Sequence, residues 1–289
     1  MINYYERVKS NPSIFKQFTF KEVLFVYYDC PLEVNKIDKW SQHNYFLYVV
    51  SGKKSLHTPV GSWILTRGNA VFVKKGACII EKYFDEVLCL MAFFIPDSYL
   101  RSFMLDNATL ISGKNLPAIT NDLVIRLKEN EIMSAYYQSV LPYFSSEIRP
   151  SEQLMELKFK ELLLNIITDP GNNELNAYLQ TIISTQADEL QRIMEANYYF
   201  NLSLDSFAKL CNRSLSSFKR DFRKAYNIPP HLWLQNRRLN YSRHLLFSTN
   251  KSINEISFEC GFENSTHFSK VFKYQFGVPP LQFRKKSFV

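Results

Sequence analysis

Ile253-Asn254-Glu255-Ile256-Ser257-Phe258-Glu259-Cys260 falls on Leu204-Asp205-Ser206-Phe207-Ala208-Lys209-Leu210-Cys211 at an offset of 49 residues. After one inserted residue the match resumes at an offset of 50, with Phe268-Ser269-Lys270-Val271-Phe272 on Phe218-Lys219-Arg220-Asp221-Phe222. Gly277-Val278-Pro279-Pro280 then closes the second copy as Asn227-Ile228-Pro229-Pro230 closes the first. Self-similarity at one period means one supersecondary unit used twice. Each copy reads as a short helix, a sharp turn, a second helix and a stop. In the first copy Ser203 is placed to cap, and Leu204, Phe207, Ala208 and Cys211 form an inner face. Asn212-Arg213-Ser214 makes the turn, and Leu215, Phe218 and Phe222 face inward on the second helix. Two short helices joined this way form a helix-turn-helix.

With those apolar residues buried, Ser216, Lys219, Arg220, Arg223 and Lys224 lie on the outer side of the first copy's second helix. Ser265, Thr266, Ser269, Lys270 and Lys273 take that side in the second copy. Arg and Lys donate to guanine O6 and N7, and Ser and Thr reach base edges or phosphates. Such a density of cations on one short helix repels itself unless an anion meets it. Between the copies, Pro230 to Leu246 reads as one long helix, with Pro230 in the first turn where its missing N–H costs nothing. Its Leu232, Leu239, Leu245 and Leu246 are expected to pack on both units and fix their separation. Successive major grooves on one face of B-DNA lie about 34 Å apart, so a fixed spacing lets both second helices insert together.

Charge follows the same division. The 289 residues carry a formal net charge of +8, but Arg192 to Val289 hold 16 basic against 6 acidic residues, and the preceding 191 hold 19 against 21. A basic region joined to a near-neutral one suits a polyanion-binding module carried by a sensing or scaffolding partner. Two domains are expected, over 1–175 and 185–289.

The amino-terminal region is strand-like to about Pro96. Glu22–Tyr28, Tyr45–Ser51, Ser55–His57, Ser62–Thr66, Ala70–Lys74 and Val87–Ile95 are short runs rich in β-branched and aromatic residues. Ser51-Gly52, Pro59-Val60-Gly61 and Arg67-Gly68-Asn69 supply the positive-φ residues that tight reversals need. These runs predict a small antiparallel barrel or sandwich. Helical spacing begins with Asp97–Met104 and resumes, after an irregular stretch through Asp106–Asn121, with Ser151–Thr168. In the last of these, Met155, Phe159, Leu162, Leu163, Ile166 and Ile167 make one apolar stripe, suited to a core or to a dimer seam. Asp169-Pro170-Gly171-Asn172-Asn173 ends that helix as a linker or sharp turn.

The stretch Ile256 to Lys273, with Gly277-Val278-Pro279-Pro280-Leu281-Gln282-Phe283-Arg284 after it, resembles the DNA-binding signature of the AraC family of bacterial transcription regulators. The resemblance covers about Asp188–Lys286 strongly and the whole chain more weakly. It implies an α+β chain: an N-terminal cupin-like antiparallel β-barrel, a helical dimerisation segment, and an all-α double helix-turn-helix domain. It also implies a sequence-specific regulator of transcription, an activator, that binds double-stranded DNA and works with RNA polymerase. A homodimer through the N-terminal domain and central helices is implied, with a small-molecule or protein effector acting on that domain. By this resemblance the base-facing positions are Ser216, Lys219 and Arg220 in the first copy, and Ser265, Thr266 and Lys270 in the second. Asn212 and Asn227 stand where the second copy has glycines, a replacement the left-handed backbone tolerates for Asn.

Other classes fare worse. A metal-dependent cupin enzyme needs clustered ligands, whereas His43 and His57 stand apart with no H-x-H, so neither metal nor cofactor is expected. An architectural DNA binder would need charge alone and not the repeat. Cys30, Cys78, Cys89, Cys211 and Cys260 are scattered singly, which suits buried free thiols rather than a disulfide framework. With neither a secretory signal nor a membrane-length apolar run, a cytoplasmic location is expected. The presumptive barrel interior, Tyr45, Phe46, Tyr48, Trp63, Phe72 and Phe94, is expected to be filled by its own side chains or by an apolar effector.

Overall fold

The computed structural model describes residues 1–30, 34–111, 115–146, 148–183 and 186–286. Backbone packing divides the chain into two units, Ile2–Thr185 and Gln186–Val289, with Met1 set apart from the first.

The first unit runs β1 (Ile2–Asn3), α1 (Tyr4–Lys9), β2 (Lys16–Phe20), β3 (Val23–Asp29), β4 (Lys36–Ser41), β5 (Asn44–Ser51), β6 (Lys53–Thr58), β7 (Gly61–Thr66), β8 (Ala70–Val73), β9 (Gly76–Lys82) and β10 (Cys89–Ile95). There follow α2 (Asp97–Asp106), α3 (Ala108–Ile111), β11 (Val124–Arg126), α4 (Glu131–Val140), α5 (Glu152–Thr168) and α6 (Asn173–Ile183). The strands form a five-stranded sheet, β1-β4-β9-β6-β7, and a six-stranded one, β11-β8-β5-β10-β3-β2. All pairings are antiparallel except β1 with β4. The described strands therefore pair as two stacked sheets, and the closed ring of the expected barrel is not among their pairings.

Alternation along the six-stranded sheet explains the architecture. Leu24, Val26, Leu47, Val49, Val71 and Ala92 point into a core shared with Leu56, Leu65 and Ile80 of the other sheet. Their neighbours Phe25, Phe46, Phe72 and Phe93 point the opposite way, into a second core made with the helices. A sheet buried on both faces reads as continuous apolar sequence, which is why its central strands are the visible ones. The expected interior set accordingly splits: Tyr45 and Phe94 lie in the core between the sheets and the partly buried Trp63 packs against that core, whereas Phe46, Tyr48 and Phe72 face the helices. One-residue alternation in a strand forces this division.

The α5 stripe belongs to the core. Met155, Phe159, Leu162, Leu163, Ile166 and Ile167 are all buried, and the Phe159 ring packs near those of Phe20, Phe25, Phe46 and Phe93. Asp169–Asn173 is a sharp turn rather than a linker. Pro170–Asn172 form one tight helical turn, and the buried Asn172 accepts a hydrogen bond from Lys128 N at 2.7 Å. The following α6 returns Leu175, Tyr178, Leu179 and Ile182 to the helix-facing core. The stretch Asp106–Asn121, expected to be irregular, holds the short helix α3; residues 112–114 lie outside the described residues, and residues 115–121 form no helix, Pro117 lacking the N–H that one would need.

A buried polar network fastens sheet to helices. Asn44 Nδ2 donates to Asp97 Oδ1 at 2.7 Å, and Asn44 Oδ1 accepts from Lys75 N and from the Tyr178 hydroxyl, both at 2.9 Å. Lys75 Nζ meets Asp97 Oδ2 at 2.5 Å. His57 is taken up by Ser62 Oγ at 2.8 Å and Glu81 Oε2 at 2.9 Å, while His43 packs edge-on against Tyr5. None of the cysteines forms a disulfide, but Cys30 and Cys89 are half-buried rather than buried, because Cys30 lies just past the end of β3 and Cys89 opens β10.

Candidate DNA interface

The second unit contains α7 (Gln186–Asn197), α8 (Leu204–Leu210), α9 (Leu215–Tyr226), α10 (Pro230–Ser248), α11 (Ile253–Glu259), α12 (Ser265–Phe276) and α13 (Pro280–Lys286). The two repeat copies become α8–α9 and α11–α12. Each helix starts on a side-chain cap. Ser203 Oγ accepts from Ser206 N at 3.1 Å and Ser214 Oγ from Ser217 N at 3.3 Å. Ser252 and Glu255 form a reciprocal capping box on α11, and Asn264 Oδ1 accepts from Thr266 N and His267 N on α12. These bonds satisfy N–H groups that a helix start leaves orphaned.

The turns obey the repeat to the residue. Asn212 (φ 53°) and Gly261 (φ 78°) reverse the chain inside each unit, and Asn227 (φ 57°) and Gly277 (φ 79°) end the second helices. Gly261 carries a further demand. A Cβ there would sit 2.8 Å from the Tyr199 carbonyl oxygen and 3.1 Å from Arg238 Nε. That crowding follows from Arg238, whose Nε and Nη2 donate to the Tyr198 and Phe200 carbonyls, each at 2.7 Å. Burial draws this guanidinium down to about 10. It nonetheless stays charged at neutral pH.

Phe218 and Phe222 on α9, and Phe268 and Phe272 on α12, are fully buried. Opposite them, Ser216, Lys219, Arg220, Arg223 and Lys224 are all exposed. On α12, Thr266, Lys270 and Lys273 are exposed, and Ser265 and Ser269 are half-buried. The structure therefore gathers the candidates of each copy on one outer face. Leu204 and Leu215, read as inward, are only half-buried, since they open their helices.

Two features escape the periodicity. Asp221 links Arg220, whose Nε is 3.2 Å from Oδ1, to Arg213, whose Nη1 is 3.0 Å from Oδ2. Partial desolvation pushes the Asp221 carboxyl up, but hydrogen bonding to Arg220 and the charge of Arg213 outweigh it and hold the group below the ordinary carboxylate range. Asp221 so steers the Arg220 fork. The second feature is Tyr274, 90% exposed on α12. It occupies the register of Lys224 at the offset of 50, which is the signal that could have placed it on the interface.

The connector α10 runs Pro230–Ser248, with Pro230 as its first residue. Its first half holds the first unit through Trp233, whose ring lies 5.8 Å from Phe222 and 5.4 Å from Tyr226. Its second half holds the other unit through Leu239, Leu245 and Leu246, which pack with Ile256, Phe268 and Phe272. Leu232 departs from expectation at 43% exposed, because the neighbouring Trp233 and Leu234 take the inward face. Arg237 pairs with Glu195 and lies over the Trp233 ring, tying α7 to the same helix.

Residues 207–286 match the helix-turn-helix domain family, and residues 44–178 match the ExsA N-terminal regulatory domain. The chain is 26% identical to the virulence regulon transcriptional activator VirF of Yersinia enterocolitica, over 86% of this chain and 91% of that protein. It is 23% identical to the HTH-type transcriptional regulator ExsA of Pseudomonas aeruginosa, over 82% of this chain and 84% of that one. Among solved structures, ToxT from Vibrio cholerae aligns at a TM-score of 0.42 and 14% identity, covering 91% of this chain and 97% of its own. The DNA-binding domain of AdpA in complex with a target DNA aligns at 0.34 and 24%, covering 36% and 93%. That family consists of DNA-binding regulators and not of enzymes. The duplicated unit, its signature residues and both matched domains together make this chain a member of the AraC family of DNA-binding transcription regulators.

Proposed function

We propose that the outer faces of α9 and α12 read the operator, with Ser216, Lys219 and Arg220 and then Ser265, Thr266 and Lys270 toward base edges. Arg223, Lys224, Ser269 and Lys273 meet phosphates, and Tyr274 joins them from the end of α12. The observation that carries this reading is register: both helices bury the same two phenylalanine positions and expose the matching pairs Ser216 and Thr266, Arg220 and Lys270, and Arg223 and Lys273. Residues 185–289 act as the DNA-binding domain and the preceding region as the sensing and dimerising one.

The chain activates transcription with RNA polymerase in the cytoplasm. The names of its relatives, transcriptional activator among them, support activation, and the regulatory description of the matched 44–178 region supports control by an effector. The homodimer draws support from α5, where Leu157 and Leu164, one heptad apart, are 64% and 37% exposed opposite the core stripe. Sedimentation of the full chain and of Leu157→Lys tests it: a dimer that the substitution splits is expected, and a monomeric wild type overturns it.

Selection of binding sites from random duplexes, followed by transcription in vitro with purified RNA polymerase, tests the central reading. One enriched motif and more transcript from a promoter carrying it are expected. Equal binding to all duplexes removes the base-reading role, and reduced transcript removes activation.

A further inference from the structure

The two copies of the repeat anchor their second helices differently at one pair of positions. Arg213 in the first turn falls on Phe262 at the offset of 49, and Asp221 on α9 falls on Val271 on α12 at the offset of 50. Phe262 and Val271 pack with the apolar core around Phe268 and Phe272. In the first copy the same two places hold an ion pair, Arg213 Nη1 to Asp221 Oδ2 at 3.0 Å, with the Arg213 side chain only 12% exposed. An apolar pair holds helix to turn in the second copy, so anchoring alone does not call for a carboxylate in the first. What the carboxylate adds is a second oxygen. Asp221 Oδ1 accepts from Arg220 Nε at 3.2 Å, and Ser217 Oγ closes the ring, donating to Asp221 Oδ2 at 3.3 Å and accepting from Arg220 Nη2 at 3.2 Å.

A guanidinium carries five N–H groups in a rigid fork. The Nε group and one on Nη2 are engaged within α9, which leaves three, enough for the two-pronged contact to guanine O6 and N7. Charge then separates the two kinds of DNA ligand. A phosphate that approaches Arg220 meets the Asp221 carboxylate beside it and is repelled, whereas a base edge is neutral and is not. Lys270, which holds the place of Arg220 on α12, is followed by Val271 and has no such neighbour in sequence. We propose that Asp221 is a positioning residue that determines specificity: anchored by Arg213, it aims the Arg220 fork and weakens its pull on phosphate, so that Arg220 serves sequence preference more than general affinity. The proposal rests on the reading that α9 faces base edges.

Fluorescence anisotropy of the full chain on a duplex enriched from random sequence and on an unselected duplex, at one salt concentration, tests the proposal. Asp221→Asn removes the charge and keeps the shape. Its affinity for the unselected duplex should rise about twofold or more, and its ratio of selected to unselected affinity should fall about tenfold. In an Arg220→Ala background Asp221→Asn should lower that ratio no further, because the carboxylate acts through the Arg220 side chain. The double variant Arg213→Phe, Asp221→Val installs the pair of the second copy. It should melt no lower than Asp221→Asn and show the same fall in the ratio, which separates aiming the fork from holding the fold. An unchanged ratio in Asp221→Asn or in the double variant, or a further fall in the Arg220→Ala background, overturns the role of Asp221 while leaving α9 a reader of bases. A wild type that enriches no motif overturns the base-reading itself, and the role of Asp221 with it.

Discussion

At the scale of single residues, the second helix of the first unit separates two kinds of cation. Arg220 is held by Asp221 and by Ser217 Oγ, to which its Nη2 donates at 3.2 Å, whereas Arg223 stands on the exposed rim near the end of α9. A guanidinium with its fork fixed is suited to a base edge, and a loosely held one to phosphate. Arg220→Ala should relax preference at one or two base positions at a cost of ~1–3 kcal/mol, while Arg223→Ala should weaken all duplexes alike. Site selection with each variant checks this, and an identical motif from both would show the faces wrongly assigned. Gly261 is the second sensitive residue. Gly261→Ala meets both a left-handed backbone and the Tyr199 carbonyl, so chemical denaturation should show a loss of about 1–3 kcal/mol or more. Asn212→Gly, in the matching turn, should change stability little.

At the scale of elements, α10 and the Asn44 network each join parts of the chain far apart in sequence. Trp233→Ala should cost ~3–5 kcal/mol as a large-to-small core change and loosen α9 against the connector, visible as denaturation at lower denaturant. Asp97→Ala takes the carboxylate away from the buried Lys75 ammonium and from Asn44 Nδ2, which should cost ~3–5 kcal/mol by the same measurement. The sequence made some elements legible and hid others for physical reasons. Repeat helices, caps and left-handed turns are local, so Asn212, Asn227 and the α9 cations could be read directly. Strand β2 was hidden because the β2–β3 hairpin turns through Lys21 (φ 41°) and Glu22 (φ 67°), a positive-φ pair without Gly or Asn. Strands β4 and β9 were hidden by charge and small residues: Lys36-Ile37-Asp38-Lys39-Trp40-Ser41 does not alternate cleanly, and β9 opens on Gly76-Ala77. Lys39 and Lys54 were invisible as buried groups, since periodicity assigns lysine to solvent, and Asp221 was invisible because its role depends on Arg213 eight residues away.

At the scale of the whole molecule, the net charge of +8 is concentrated in the second unit, and that concentration should govern affinity. A fragment of residues 185–289 should bind DNA by itself, with affinity falling linearly on a log–log plot against salt as phosphate contacts release counterions. Fluorescence anisotropy across salt concentrations reads the slope, and a flat line would remove the electrostatic account. The first copy concentrates cations and the second hydroxyls, so substitutions on α9 should flatten that slope more than those on α12. The connector α10, pinned at one end by Trp233 and at the other by Leu239, Leu245 and Leu246, has a last consequence for the genome rather than for the protein. A stiff bar between two readers makes the regulator a gauge of helical phase. Half-sites one turn apart, about 10–10.5 base pairs, lie in step with it, and an insertion of half a turn rotates one of them to the far side of the duplex. If both helices read the operator as proposed, promoters under its control should be constrained in the spacing of their sequence as strictly as in its letters.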